Sequence, residues 1–290
     1  MRAVAINQLI ARRAPLLLLA GLVVGLSGPT IGTVMAQTDA KAAEAMFVDD
    51  FAAGPVTAAG PAAAGFWTVR GANGTFATKE SGALKLQSAG PAEWANLHLI
   101  SAVKPEFNFL DRPLTFSLDE VAITASEGVP PDKATMRFSV TPAVTQEWVG
   151  DTGVSVSVNA ARRVRLGYKV ATPQKDPDSA NLLVEQTLPG DVTGIDLTLD
   201  ADGYALVARH KDEQGQPSVQ PFTANGKWSD KGPGLTKESW GGGGAAVMFL
   251  AQRGKIDPPT DAHAATVTLA SFKVTPGPAA SAANVAPTEK

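Results

Sequence analysis

Val154-Ser155-Val156-Ser157-Val158-Asn159 alternates valine with a small polar residue at every step. A period of two is the period of a pleated strand, whose successive side chains leave opposite faces, so this stretch reads as a half-buried β-strand. The same period extends outward on both sides. Upstream, Leu84 and Leu86, then Leu114, Phe116 and Leu118, then Met136, Phe138 and Val140 alternate with polar neighbours; downstream come Val164 to Val170, Ile195 to Leu199, Tyr204 to Arg209, Val247 to Gln252 and Val267 to Val274. Turn residues separate these runs: Ala72-Asn73-Gly74, Pro130-Pro131-Asp132, Asp176-Pro177-Asp178, Ala201-Asp202-Gly203, Gln214-Gly215 and Asn225-Gly226. No later segment keeps a helical period. The pattern predicts an all-β chain of about a dozen short antiparallel strands in two stacked sheets. It also predicts one domain, because the two strands after the Gly-rich stretch Ser229 to Gly244 are too few to stand alone.

Composition agrees with that architecture. The 290 residues are 44% hydrophobic and 18% charged, so the chain is long and apolar enough for a large core. Gly 28 and Pro 21 with only 6% aromatics suit a turn-rich protein. The absence of cysteine excludes a disulfide framework, thiolate metal sites, a cysteine nucleophile and a lipidated lipoprotein amino terminus.

At the amino end, Arg2, Arg12 and Arg13 precede the apolar run Ala14 to Leu26, which leads to Val34-Met35-Ala36. This is the pattern of a signal peptide, 1–36, cleaved after Ala36, with twin-arginine export as a variant suggested by Arg12-Arg13. The run is shorter than the roughly 20 residues of a membrane span, so no membrane span is expected. Cleavage removes arginines and no acidic residue, making the exported chain more acidic than the −3 of the whole. An acidic chain without a basic block is not a nucleic-acid binder. Residues 37–46 read as a flexible lead-in, 47–275 as the folded domain and 276–290 as a tail too poor in large apolar residues to order itself.

Several segments carry a resemblance. Phe47-Val48-Asp49-Asp50-Phe51, Gly65-Phe66-Trp67-Thr68-Val69, Gly82 to Leu86, the hairpin Ile195 to Tyr204 and the closing Val267 to Val274 resemble the concanavalin A-like lectin/glucanase jelly roll over most of 47–275. The resemblance implies the fold and leaves the function open among lectins, carbohydrate-binding modules, glucanases and lyases. It also implies a structural calcium where the first and last strands meet, with Asp49 and Asp50 as its ligands. The glucanases of this superfamily carry Glu-x-Asp-x-(x)-Glu, and that motif is absent here.

Other catalytic signatures are missing as well. There is no Gly-x-Ser-x-Gly elbow and no Gly-x-x-x-x-Gly-Lys loop, and His98, His210 and His263 are isolated. Asp200-x-Asp202-Gly203 reads as a hairpin turn. The suggestive feature is Trp94 to Ile100. Leu97 and Leu99 take one face, leaving Trp94, Asn96 and His98 on the other, an aromatic and polar combination suited to stacking on a pyranose and bonding its hydroxyls. By the same alternation Arg137, Ser155, Ser157, Asn159, Arg165, Lys169 and Gln252 oppose core residues, and Trp148 is placed for a rim. Convergence of these cations would suit anionic sugars.

The reading is therefore a secreted or periplasmic, non-catalytic domain whose partner is a polysaccharide or cell-surface glycan. Its candidate contacts are Trp94, Asn96, His98, Arg137, Trp148 and Arg165. Two alternatives stand beside it. One is a polysaccharide hydrolase or lyase assembled from distant strands, with His98, an arginine and Tyr168 as base. The other is a structural or adhesive envelope domain whose concave sheet is covered or filled by large apolar side chains.

Overall fold

The computed structural model describes residues 44–51, 66–71, 75–142, 152–170, 181–232, 234–241 and 243–277, all within one compact unit, Lys41–Lys290. The expected leader, nearly all of the tail, Trp148 and the turns Ala72 to Gly74 and Asp176 to Asp178 lie outside the described residues. In chain order the strands are β1 (Phe47–Asp49), β2 (Trp67–Gly71), β3 (Phe76–Glu80), β4 (Ala83–Ala89), β5 (Ala95–Ser101), β6 (Leu114–Asp119), β7 (Ala122–Ala125), β8 (Ala134–Thr141) and β9 (Gly153–Asn159). They continue as β10 (Arg163–Lys169), β11 (Asn181–Thr187), β12 (Val192–Leu199), β13 (Gly203–His210), β14 (Phe222–Lys227), β15 (Ala246–Arg253), β16 (Ala264–Leu269) and β17 (Ser271–Pro276). The α-helix among the described residues is the single turn Lys237–Trp240, so none there is long enough to cross a membrane.

These strands form three antiparallel sheets. A six-stranded sheet runs β1-β17-β6-β12-β13-β14, a seven-stranded sheet β11-β10-β9-β8-β15-β5-β2, and a four-stranded sheet β3-β4-β16-β7. The expectation of two sheets missed the third. Its origin is a pair of breaks that alternation does not register. Val267 to Val274 is not one strand: it divides at Ala270, whose N–H donates to Asp119 O at 2.9 Å. Opposite, the chain turns at Glu120, which takes a positive φ of 53°. β6 with β17 and β7 with β16 thus form two successive antiparallel pairs that change sheet at one corner.

The core lies between the two larger sheets. Phe116 of β6 and Phe272 of β17 meet Phe138 of β8 and Phe249 of β15, with ring centroids 5.4 to 5.9 Å apart, and all four rings are buried. Such pairs add about 0.5–1.5 kcal/mol each beyond the area they bury. One end is closed by Trp228, which donates from Nε1 to Asp200 O and accepts at its carbonyl from the Tyr168 hydroxyl, both at 2.9 Å.

Local chemistry explains which expected turns form. Asp200 Oδ1 accepts the N–H groups of Asp202 and Gly203 at 2.8 and 2.7 Å, which makes Asp200 to Gly203 the β12–β13 turn. Asn225-Gly226, expected as a turn, lies instead inside β14 opposite Tyr204. Glycine is needed there because a Cβ on Gly226 would stand 2.8 Å from the Tyr204 hydroxyl. The closing strand continues through Pro276, and Gly277 N–H donates to Pro113 O.

Candidate functional site

Register across the seven-stranded sheet sets the candidate residues side by side. On its outer face one row reads Arg70 (β2), His98 (β5), Leu250 (β15), Arg137 (β8), Ser157 (β9), Arg165 (β10) and Glu185 (β11). Three residues singled out from sequence, His98, Arg137 and Arg165, therefore share a row although they come from distant parts of the chain. The neighbouring row holds Asn96, Gln252, Thr135 and Asn159, and Gln252 Nε2 donates to Asn96 Oδ1 at 3.0 Å. Asn96, His98 and Arg137 are half-buried, while Arg70 and Arg165 are exposed.

Trp94 precedes β5 and is 50% exposed, whereas Trp67, Trp228 and Trp240 are each 1% exposed. Its segment is held by Arg253, a fully buried guanidinium whose Nη atoms donate to the carbonyls of Gly90, Ala92, Glu93 and Gly254 at 2.6 to 3.1 Å. Desolvation lowers the pKa of Arg253 from its ordinary value, and the carbonyl dipoles are what hold the charge in place.

Sequence reasoning missed part of this face. Ile100, Met248 and Leu250 also point outward and are 6%, 2% and 1% exposed, so the middle of the face is apolar and shut from solvent. The unbroken apolar run Ala245 to Ala251 carries that signal, because a strand buried on both sides does not alternate. Arg70 and Glu185 were also missed. Glu185 accepts from Arg163 and pairs with Arg165 Nε at 2.9 Å.

The chemistry available to a hydrolase or lyase is thin here. Glu185 is the carboxylate on the outer face among the described residues, and two arginines hold it. Tyr168, expected as a lyase base, is 1% exposed on the inner face and hydrogen-bonded to Trp228 O. Burial raises its pKa and that of Tyr204 above the ordinary value. Neither tyrosine reaches the outer face, which corrects that assignment.

Asp49 does not suit calcium. It is fully buried, and its oxygens accept from Phe51 N at 2.9 Å and Trp67 Nε1 at 2.7 Å. The ammonium of Lys79, also buried, stands 3.6 Å from Oδ1 and would repel a divalent cation. Asp50 is exposed, and the described residues contain no cluster of three or more metal-ligating side chains. The residues present therefore do not fit the ion that the fold resemblance implied.

A depression of about 710 Å³ lies at the sheet-changing corner, lined by Asp119, Glu120, Arg209 and Lys273 among others. Three of its charges are matched: Asp119 accepts from Arg209, Ser271 and Lys273 at 2.9, 2.9 and 3.0 Å, and Arg209 also pairs with Asp196. Burial pushes the Asp119 pKa up, but the hydrogen bonds from Lys273 and Ser271 and the charges of Lys273 and Arg209 outweigh it, so the net shift is downward. A carboxylate with a depressed folded pKa contributes stability above its unfolded value and loses it as pH falls through the folded one. Asp119→Asn is accordingly expected to destabilise the protein at neutral pH and to differ less from wild type near about pH 3. Urea melts at the two pH values check this, and an unchanged difference would refute it.

No protein-family model matches the chain, and no curated protein sequence matches it. Solved structures do. An endo-1,3-β-glucanase from Streptomyces sioyaensis matches with a TM-score of 0.50 at 12% identity, over 87% of this chain and 99% of that one. Arcelin-5, a lectin-like defence protein from Phaseolus vulgaris, matches at 0.47 and 9%, over 72% and 92%. A Bacillus licheniformis β-glucanase matches at 0.44 and 10%, over 79% and 97%. At 12% identity the likeness to the endo-1,3-β-glucanase is one of fold alone.

Proposed function

We propose that this concanavalin A-like jelly roll is an exported, non-catalytic domain that binds glycan on the outer face of its seven-stranded sheet. The observation that supports it best is Trp94, half exposed while three other tryptophans are buried, at the start of the strand that carries Asn96 and His98. An exposed ring supplies the flat apolar surface that a pyranose stacks on, and amide, imidazole and guanidinium groups beside it supply donors and acceptors for hydroxyls. Export rests on the Arg2 to Ala36 segment, and a mature amino terminus at Gln37 is its check.

The absence of a carboxylate pair on this face among the described residues argues against hydrolysis, which needs two carboxyl groups about 5 to 9.5 Å apart. Incubation with alginate, laminarin and agarose is expected to release neither reducing ends nor unsaturated products. Accumulation of either would put the enzyme reading first. For binding, Trp94→Ala is expected to weaken retention on a recognised polysaccharide by about tenfold, the effect of losing one good stacking contact. Equal retention of both proteins on every glycan would count against this site.

One observation favours a second reading. The closed apolar strip of Ile100, Met248 and Leu250 is what a structural or adhesive envelope domain requires. That reading expects no glycan to be retained by the folded protein.

A further inference from the structure

The outer face of the seven-stranded sheet is basic in an acidic protein. Among the described residues it carries Arg70, Arg137, Arg163, Arg165 and Lys169 against Glu185, in a chain of formal charge −3. The cations are not evenly spread. Arg137 and Arg165 occupy the positions on either side of Ser157, about 10 Å apart at the backbone, two strand spacings. The next row on the same face continues with Ser139, Ser155 and Gly167, so the floor between the guanidiniums is built of hydroxyls and a glycine.

The two arginines differ in how their charge is met. Glu185 pairs with Arg165 and Arg163. No carboxylate among the described residues pairs with Arg137, which is half-buried. Desolvation, then the like charge of Arg165, depresses the Arg137 pKa. Beside it the Ser139 hydroxyl is fully buried and has no hydrogen-bond partner among the described residues. A desolvated guanidinium without a carboxylate partner is costly unless an anion completes it. Its planar fork matches a carboxylate or sulfate with two parallel hydrogen bonds.

We propose that the acidic group of an anionic polysaccharide, a ring carboxylate or a sulfate ester, docks between Arg137 and Arg165 over Ser155 and Ser157. This rests on the glycan-binding reading above and names its substrate class. Arg137 is the primary anchor because no carboxylate among the described residues competes for it, and Arg165 joins by sharing its charge between Glu185 and the ligand.

The test titrates the full chain with polygalacturonate, dextran sulfate and neutral laminarin, and compares Arg137→Gln, Arg137→Lys and Arg165→Gln with Arg112→Gln. Arg112 is an exposed arginine outside this face, so Arg112→Gln removes the same charge elsewhere. Thermal melts establish that each variant is folded, and Arg165→Gln, at an exposed position, provides the answer if Arg137→Gln unfolds. Affinity for polygalacturonate or dextran sulfate is expected to fall at least tenfold in Arg137→Gln, less in Arg165→Gln, and partially in Arg137→Lys, which keeps charge but loses the fork. Which of the two acidic polymers responds tells a carboxylate from a sulfate ligand. Acidic polymers bound no better than laminarin, or weakened equally by Arg112→Gln and Arg137→Gln, would overturn the inference. Laminarin binding that depends on Trp94, without acidic binding, removes this inference and leaves the glycan reading standing. Failure of the folded protein to bind any of the three removes both.

Discussion

Asp49→Ala is expected to lower the stability of the domain by about 3–5 kcal/mol, the usual cost of stranding one partner of a buried ion pair. The carboxylate and the Lys79 ammonium it faces are both fully buried. Among the described residues Lys79 has no hydrogen-bond acceptor, and its ammonium lies 5.4 Å from the centre of the Phe51 ring. Removing Asp49 therefore leaves an uncompensated buried charge and unpairs the indole of Trp67 and the amide of Phe51. Phe51 sits at a positive φ of 49°, a conformation that its bond to Asp49 helps to hold. For a domain of this size the loss corresponds to a fall of about 6–20 °C in melting temperature. The control is the pair of variants Lys79→Met and Asp49→Ala/Lys79→Met. Because the charge is the main cost, the double variant should recover much of what the single one loses. A double variant as unstable as Asp49→Ala would show that the damage comes from packing and not from the stranded ammonium.

Arg253→Met comes next in size, at about 3 kcal/mol, because the carbonyls of Gly90, Ala92, Glu93 and Gly254 lose their donor inside the protein. Methionine keeps most of the side-chain volume, so the loss reports the hydrogen bonds more than a cavity. The effect should be local as well as global. Gly90, Ala92 and Glu93 are tied to β15 by this side chain, so the amides of residues 90 to 94 should exchange faster in Arg253→Met. Arg253→Lys, whose ammonium cannot span the same carbonyls from one fork, should recover only part of the stability. Exchange in 90 to 94 that is indifferent to the substitution would refute the clamp.

Much of the architecture was legible because strand periodicity is a local property. Val154 to Asn159, Leu114 to Asp119 and Ile195 to Leu199 take strands whose buried positions are the apolar ones. Alternation failed in two places. Met248 and Leu250 face outward and are buried all the same, and Val267 to Val274 serves two sheets because the chain bends at Ala270. Asn225-Gly226 has the composition of a turn, but the Tyr204 ring beside it required a glycine in a strand. The Asp49-Asp50 pair shows the same limit. Adjacent carboxylates suggest a cation, and in the fold the cation facing Asp49 is Lys79, thirty positions away in sequence.

For the candidate site, the sequence by itself determined which side chains share a face: within one strand, the pleat separates Asn96 and His98 from Leu97 and Leu99 without help from the rest of the chain. It equally determined that no glucanase-type carboxylate motif was present. Only the tertiary structure decided which strands are neighbours and in what register. A shift of one residue in any pairing would have sent Arg137 or Arg165 to the opposite face. The register that puts them on either side of Ser157, and Leu250 between His98 and Arg137, is set by the packing of Phe138 and Phe249 against Phe116 and Phe272. These contacts join residues far apart in the chain, and no local pattern encodes them.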